Sequence, residues 1–329
     1  MNSFGRIFRV NIFGESHGKS VGIVIDGCPA GIELNESDFI IDLSRRRGGG
    51  IGTTPRKEED RPIILSGVFN NKTTGAPITI ILENKNIRSQ DYDKLRYLPR
   101  PGHADFVAFK KYGGYNDYRG GGHFSGRLTA GLVVAGVIAK KVTYPVKYST
   151  EIIEVGGNKN IENAIKNVVE EGDSVGGVVE CRIDDVPIGL GEPFFDSVES
   201  LISHIVFSIP GIKGIEFGAG FRSAGMRGSE HNDIIEDING KTATNNAGGI
   251  NGGITNGNPV VFRVAVKPTS SISKSQDTTN LITGKKEKIK VKGRHDACIA
   301  LRMPVILEAA SAIVFADLML IEQRVKRIF

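Results

Sequence analysis

Four stretches of the chain are short, rich in β-branched residues and bounded by Gly or Pro: VGIVI (21–25), PITIILE (77–83), GGVVECRI (176–183) and PVVFRVAV (259–266). Such runs predict strands. Helical spacing is rarer. In NESDFIIDLSRR (35–46), Phe39, Ile40 and Leu43 lie at helical intervals behind Asn35, a cap with Asp38 three places on. Arg45 and Arg46 close its last turn, where cations suit the helix dipole. The stretches 127–141 and 304–323 are apolar almost all round, which predicts helices buried on every side. Strand and helix do not alternate as in a Rossmann sheet, and no dinucleotide or P-loop fingerprint appears. The expectation is one α+β domain over 1–329, with buried helices covered by mostly antiparallel sheets.

Length and charge narrow the class. A chain of 329 residues buries a substantial core without staples. Its three cysteines, Cys28, Cys181 and Cys298, show no paired spacing, so neither a disulfide framework nor a zinc cluster is expected, and a reducing, cytoplasmic compartment fits. The N-terminus carries Arg6 and Arg9 where a signal peptide would be apolar. The longest apolar run, read as Leu128 to Ala139, is about 12 residues against roughly 20 for a bilayer span, so no membrane association is expected. The net charge of +5 favours anionic partners without naming them. With no Trp and 7% aromatics, stacking platforms for single-stranded nucleic acid are sparse.

Glycine changes the picture. The 42 glycines cluster in packets between apolar segments, as where backbone approaches a ligand or other backbone. In and beside those packets stand Glu15-Ser16-His17, Arg45-Arg46-Arg47, RPGHAD (100–105), Arg119 through Arg127, KPTSS (267–271) and Arg294-His295-Asp296. Packets that precede the two buried helices lie at helix N-termini, where free N–H groups favour anions. Arginine forks bind phosphate and carboxylate, and histidine delivers protons. Several Arg with two or three His and an Asp read as polyanion binding joined to acid–base chemistry. A solvated helix end or nucleic-acid patch for RRRGGG, a bare Pro-Gly turn for RPGHAD and a polar loop for KPTSS stay open on the residues alone. The histidines and acids lack metal-ligand spacing.

In collinear order across nearly the whole chain, these packets resemble the chorismate synthase family. The carrying motifs include FGESHG (13–18), RSQDY (88–92), RPGHAD, KYGGYNDYRGGG (111–122), GLGEPFFD (189–196), RGSEHND (227–233), NNAGGINGGITNG (245–257), KPTSSI (267–272) and KGRHDAC (292–298). The resemblance implies a sandwich of central helices between antiparallel sheets, a homotetramer, and anti 1,4-elimination of phosphate from 5-enolpyruvylshikimate-3-phosphate with reduced FMN and no net redox change. It implies that His17 is the proton donor to the flavin and His103 the acid at the departing phosphate. Asp296 takes part in removing the ring proton, and Ser16 and Ser125 assist by hydrogen bonding. Arg46, Arg100, Arg127 and Arg294 match the anion clamp. His123, Phe124, Ser125, Pro210, Gly211, Gly252, Lys267, Pro268, Thr269, Ser270, Ser271 and Arg294 match the FMN contacts. Some members reduce their own flavin with NADPH; an external flavin reductase is the alternative, and a flavin-dependent oxidoreductase is the rival activity.

Three departures stand out. The family commonly has Arg and Ser where this chain has His123 and Phe124, Pro-Gly and a further Arg where GGGIG (48–52) stands, and Pro where Ala297 stands in RHDAC. Arg56 is the candidate to replace the missing cation.

Overall fold

The computed structural model describes residues 2–54, 59–85, 92, 95–291 and 295–323. Strands β1 (Ser3–Phe4), β2 (Arg9–Gly14), β3 (Ser20–Asp26), β4 (Pro62–Ser66) and β7 (Ile78–Glu83) form one antiparallel sheet in the order β1-β2-β3-β7-β4. A small ribbon of β5 (Val68–Phe69) and β6 (Lys72–Thr73) lies between β4 and β7 in the chain. The second antiparallel sheet runs β10-β13-β9-β8, from β8 (Lys147–Val155), β9 (Gly177–Asp184), β10 (Ile212–Phe217) and β13 (Val260–Val266). Two further hairpins, β11 (Ile250–Asn251) with β12 (Ile254–Thr255) and β14 (Gln276–Thr279) with β15 (Lys286–Ile289), are separate.

Among the described residues seven helices accompany them: α1 (Ile40–Arg46), α2 (Asp105–Lys111), α3 (Thr129–Val142), α4 (Ile161–Glu170), α5 (Val198–Ser208), α6 (Gly228–His231) and α7 (Met303–Ile321). Helices α3 and α7 pack on each other, α3 also against β3 and α7 against β8 and β9, so the core is a helix pair between two sheets. This sandwich is the expected α+β architecture, and it explains why both helices are apolar all round: each meets protein on every side. The pair approaches closely at Gly136, where a Cβ would fall 2.2 Å from the Cβ of Ala309.

The four predicted strands appear within a residue or so of their expected ends. Stretch 35–46 is capped as expected, with Asn35 N donating to Asp38 Oδ2 at 2.8 Å, but it opens as a 3-10 turn, Glu36–Phe39, before becoming α1. The longest apolar run also differs from expectation. It lies at Ile299–Ile321, 23 residues long and apolar enough to cross a membrane, yet 83% of its most apolar window is buried inside the protein. It is a core helix, and its acids are compensated. Glu308, 2% exposed, accepts from Arg45 Nη1 at 2.7 Å, Lys140 Nζ at 3.0 Å and Thr150 Oγ1 at 2.7 Å, which holds its carboxyl below its ordinary range despite burial. Asp317 accepts the backbone N–H groups of Arg6, Ile7 and Phe8 at 2.7–2.9 Å and so ties the N-terminal segment to the core.

Candidate active site

The loop leaving β2 carries Ser16 and His17, 2% and 4% exposed. Ser16 N donates to Gly122 O at 3.1 Å, and Ser16 Oγ lies 3.1 Å from the carbonyls of Arg119 and Gly120. His17 meets the Tyr92 ring edge to face, with centroids 5.1 Å apart. The run Gly120–Gly122 lies between the two histidines. Its left-handed backbone at Gly120 (φ +59°) presses so close that a Cβ would come 2.5 Å from His17 Cδ2, while a Cβ on Gly121 would come 3.2 Å from His103 Cε1. Only glycine lets a chain thread that gap. Asn84 fastens the loop from the other side: Nδ2 donates to Glu15 O and Gly18 O, both at 3.0 Å, and Oδ1 accepts from Arg127 Nε at 3.0 Å.

Two carboxylates organise the arginines. Asp60, whose side chain is fully buried, accepts from Arg46 Nη2 at 2.9 Å through one oxygen and from Arg127 Nη1 through the other. Burial alone would raise its pKa; the two guanidiniums overcome that and hold it below the usual carboxylate range. Asp105, at the start of α2, accepts from Arg100 Nε at 2.7 Å and Nη2 at 2.9 Å. Its other neighbour is His103, whose Nδ1 is 2.7 Å from Asp105 Oδ1. Against the burial that opposes it, Arg100 and His103 push the Asp105 pKa far down. An ionised Asp105 accepts the His103 Nδ1–H, so in the imidazolium form the second proton sits on Nε2 and can be given up there. Arg100 Nη1 also donates to Ser271 Oγ at 3.0 Å, which joins RPGHAD to KPTSS.

These groups border one cavity of about 540 Å³, the size of a small-molecule site. Arg46, Arg100, Arg127, His103, Phe124, Ser125, Pro210, Gly211, Lys267 through Ser271 and Asp296 all line it. The first turns of α3 and α7 open on it through Thr129 and Met303. Ser16 and His17 lie immediately behind Gly120, itself a lining residue. Ser125 has a structural duty as well, since its Oγ accepts from Arg127 N at 3.3 Å and caps the turn Gly126–Leu128 that leads into α3. Lys267 Nζ donates to Ser270 Oγ at 3.0 Å, and burial with the nearby Lys213 lowers its pKa.

Two expected contacts lie elsewhere. The His123 ring turns toward the N-terminal strands, Nδ1 2.9 Å from Gly14 O and Nε2 3.1 Å from Asn2 Oδ1, so it does not line the cavity. Gly252 sits in the turn between β11 and β12, also off the cavity. Arg294 and Arg56 lie outside the described residues. Conversely, Asp60, Asn84 and Arg302 were not singled out from sequence. Asp60 sits in a charge run, KEEDRP, that resembles a solvated face, and Arg302 opens an apolar helix. Asp296 Oδ1 accepts from Thr54 N at 2.8 Å and from Arg302 Nε at 3.0 Å.

A cation-walled cavity with a carboxylate-held histidine, set at the helix ends of an α+β sandwich, defines an enzyme for an oxyanionic small molecule. Comparison with known proteins gives the family. The family model described as chorismate synthase matches residues 8–320. Named chorismate synthases from Chitinophaga pinensis and Dehalococcoides mccartyi are 66% and 47% identical, aligned over 100% and 97% of this chain and 99% and 96% of theirs. A solved structure described as "Crystal Structure of Chorismate Synthase" superposes with a TM-score of 0.75 at 28% identity, covering 97% of this chain and 93% of that one. The chain belongs to the chorismate synthase family, lyases of the shikimate pathway.

Proposed function

We propose that this cavity carries out the anti 1,4-elimination of phosphate from 5-enolpyruvylshikimate-3-phosphate, giving chorismate, with reduced FMN bound beside the substrate. The observation that carries the reading is convergence: Arg46, Arg100, Arg127, His103 and Asp296, from four separated segments, border one space. The substrate bears a phosphate and two carboxylates, and three carboxylate-braced arginines offer it fixed charge without reorganisation. Asp60 and Asp105 aim those forks. Arg294, expected in the same clamp, stays part of the proposal.

As the carbon–oxygen bond breaks, the departing phosphate keeps the bonding electrons, and His103 supplies a proton to it from Nε2. Arg100, hydrogen-bonded to the same Asp105, balances the charge that develops. The ring C–H on the opposite face loses its proton to the Asp296 carboxylate, and its electron pair forms a new double bond as the existing one shifts to the carbon that loses phosphate. Thr54 N and Arg302 hold that carboxylate in place. His17, packed on Tyr92 behind Gly120, keeps a proton at the inner wall, with Ser16 and Ser125 as hydrogen-bonding neighbours.

The lining fits FMN. Thr269 Oγ1 is buried with no hydrogen-bond partner among the described residues, an oxygen that a phosphate or ring heteroatom would satisfy. Lys267 and Ser270 stand beside it, and Phe124, Ile209 and Ile306 supply apolar surface for a planar ring. Bound in its reduced form, FMN supplies electron density to the allylic carbon that loses phosphate. Its reducing equivalents come from NADPH at this chain or from a separate flavin reductase. Phe194, Phe195, Phe221 and Ile238, 87–100% exposed, support a homotetramer that covers them. Three unpaired, buried cysteines support a reducing cytoplasm.

The test is anaerobic. Protein, dithionite-reduced FMN and 5-enolpyruvylshikimate-3-phosphate are mixed while chorismate absorbance and phosphate are followed together. Stoichiometric release of both, with catalytic flavin, is expected. FMN binding without either product would refute the reading and favour another flavin chemistry.

A further inference from the structure

Arg302 ends the 3-10 turn Ile299–Arg302 that runs into α7, and it lines the cavity opposite no assigned role. Its Nε is committed to Asp296 Oδ1 at 3.0 Å. Nη2 lies equally near that oxygen, yet it is buried and makes no hydrogen bond among the described residues. Arg46 Nε is in the same condition on the same cavity. A buried donor left unmade is costly, more so on a charged group, so two of them bordering one space, unmet by the described residues, favour an acceptor in the cavity. An anionic acceptor suits two guanidinium donors best. The two guanidiniums repel each other: burial and Arg46 pull the Arg302 pKa down, and Asp296 and Asp60 offset this only in part. A neutral ligand would leave that repulsion in place, and a cation would add to it.

The backbone makes room for this geometry. Gly48 passes so close that a Cβ there would fall 2.5 Å from Arg302 Nη2 and 2.8 Å from Thr54 O. Thr54 is the residue whose N–H holds Asp296, so the glycine-rich loop after Arg47 braces both members of the pair. Any side chain at 48 would displace the guanidinium or the loop.

We propose that Arg302 is a further substrate-binding residue, which holds Asp296 through Nε and offers Nη2, beside Arg46 Nε, to an oxyanion of the bound phosphoester. This rests on the reading given under Proposed function. The experiment is calorimetric titration of 5-enolpyruvylshikimate-3-phosphate into wild type, Arg302→Gln, Arg302→Lys and Gly48→Ala, with thermal unfolding of each. Arg182→Gln, an exposed arginine paired with Asp184, controls for net charge. Loss of one charge-assisted hydrogen bond should weaken binding about 10- to 100-fold in Arg302→Gln. A smaller loss is expected in Arg302→Lys, which keeps the charge but not the fork, a several-fold loss in Gly48→Ala, and a change within about twofold in Arg182→Gln. A folded Arg302→Gln that binds within twofold of wild type overturns the inference. If Arg302→Gln does not fold, unchanged binding in both Arg302→Lys and Gly48→Ala overturns it instead. A wild type that does not bind the phosphoester overturns the functional reading, and this inference falls with it.

Discussion

Asp60→Asn removes the charge that bridges Arg46 and Arg127 while changing the side-chain shape little. The two arginine side chains are 5% and 6% exposed and that of Asp60 is fully buried, so the pairs are interior ones on the protein side. Breaking a buried pair from one side costs about 3–5 kcal/mol, because the partner charge is left uncompensated. The lower end applies here, since both guanidiniums also border the cavity. For a chain of this length unfolding entropy is about 0.7 kcal/mol/K, so a cost of about 3 kcal/mol lowers Tm by about 4 °C. The variant also carries one more net positive charge at the clamp. At an effective dielectric near 20, that extra charge strengthens attraction for an oxyanion on the order of 1–2 kcal/mol. Saturating inorganic phosphate should therefore raise the Tm of the variant more than that of wild type, by about 2 °C for a tenfold difference in affinity. The assay is differential scanning calorimetry of both proteins with and without phosphate. A loss below about 1 kcal/mol, or equal phosphate shifts in the two proteins, would refute the view of Asp60 as the strut between two buried cations.

His103→Ala should keep substrate and flavin binding while lowering turnover by about 10²-fold or more, the usual loss for a positioned acid; an unchanged kcat under the anaerobic assay would refute the role. Gly136→Ala should destabilise by about 1–3 kcal/mol, since the added methyl overlaps Ala309 across the α3–α7 crossing; urea unfolding reads this directly. The thiols of Cys28 and Cys181 are pushed up to about 12 by burial, and Cys298 upward as well, so a thiol reagent at pH 8 should label none in the native protein and all three in denaturant. Asp60, Asp105 and Glu308 all have depressed folded-state pKa values, so the stability they contribute is present above the unfolded carboxylate value near 4 and is lost as pH falls through the lower folded values. Acid titration followed by circular dichroism should show that loss below about pH 4, and a stability that is flat from pH 6 to pH 2 would contradict it.

The chain by itself determined the parts. β-Branched runs such as PVVFRVAV and the capped NESDFIIDLSRR name their own structure, because local sterics and pairing suffice. Two all-round apolar helices required a layer on each side, and so indicated a sandwich. The anion-binding character was also legible, since Arg, His and Gly in repeated packets have few other uses. Tertiary structure decided what meets what. Nothing local distinguishes the inward Arg46, braced by Asp60, from its neighbour Arg45, which turns to Glu308; a rotation of about 100° per helical residue separates the two fates. His123 and Phe124 are adjacent in the chain, yet one ring serves the N-terminal strands and the other the cavity. Asp60 reads as one more charge in KEEDRP until the fold buries it between two cations. The meaning of a charged side chain is set by its partners and its distance from water, and both are long-range quantities that only the packed chain supplies.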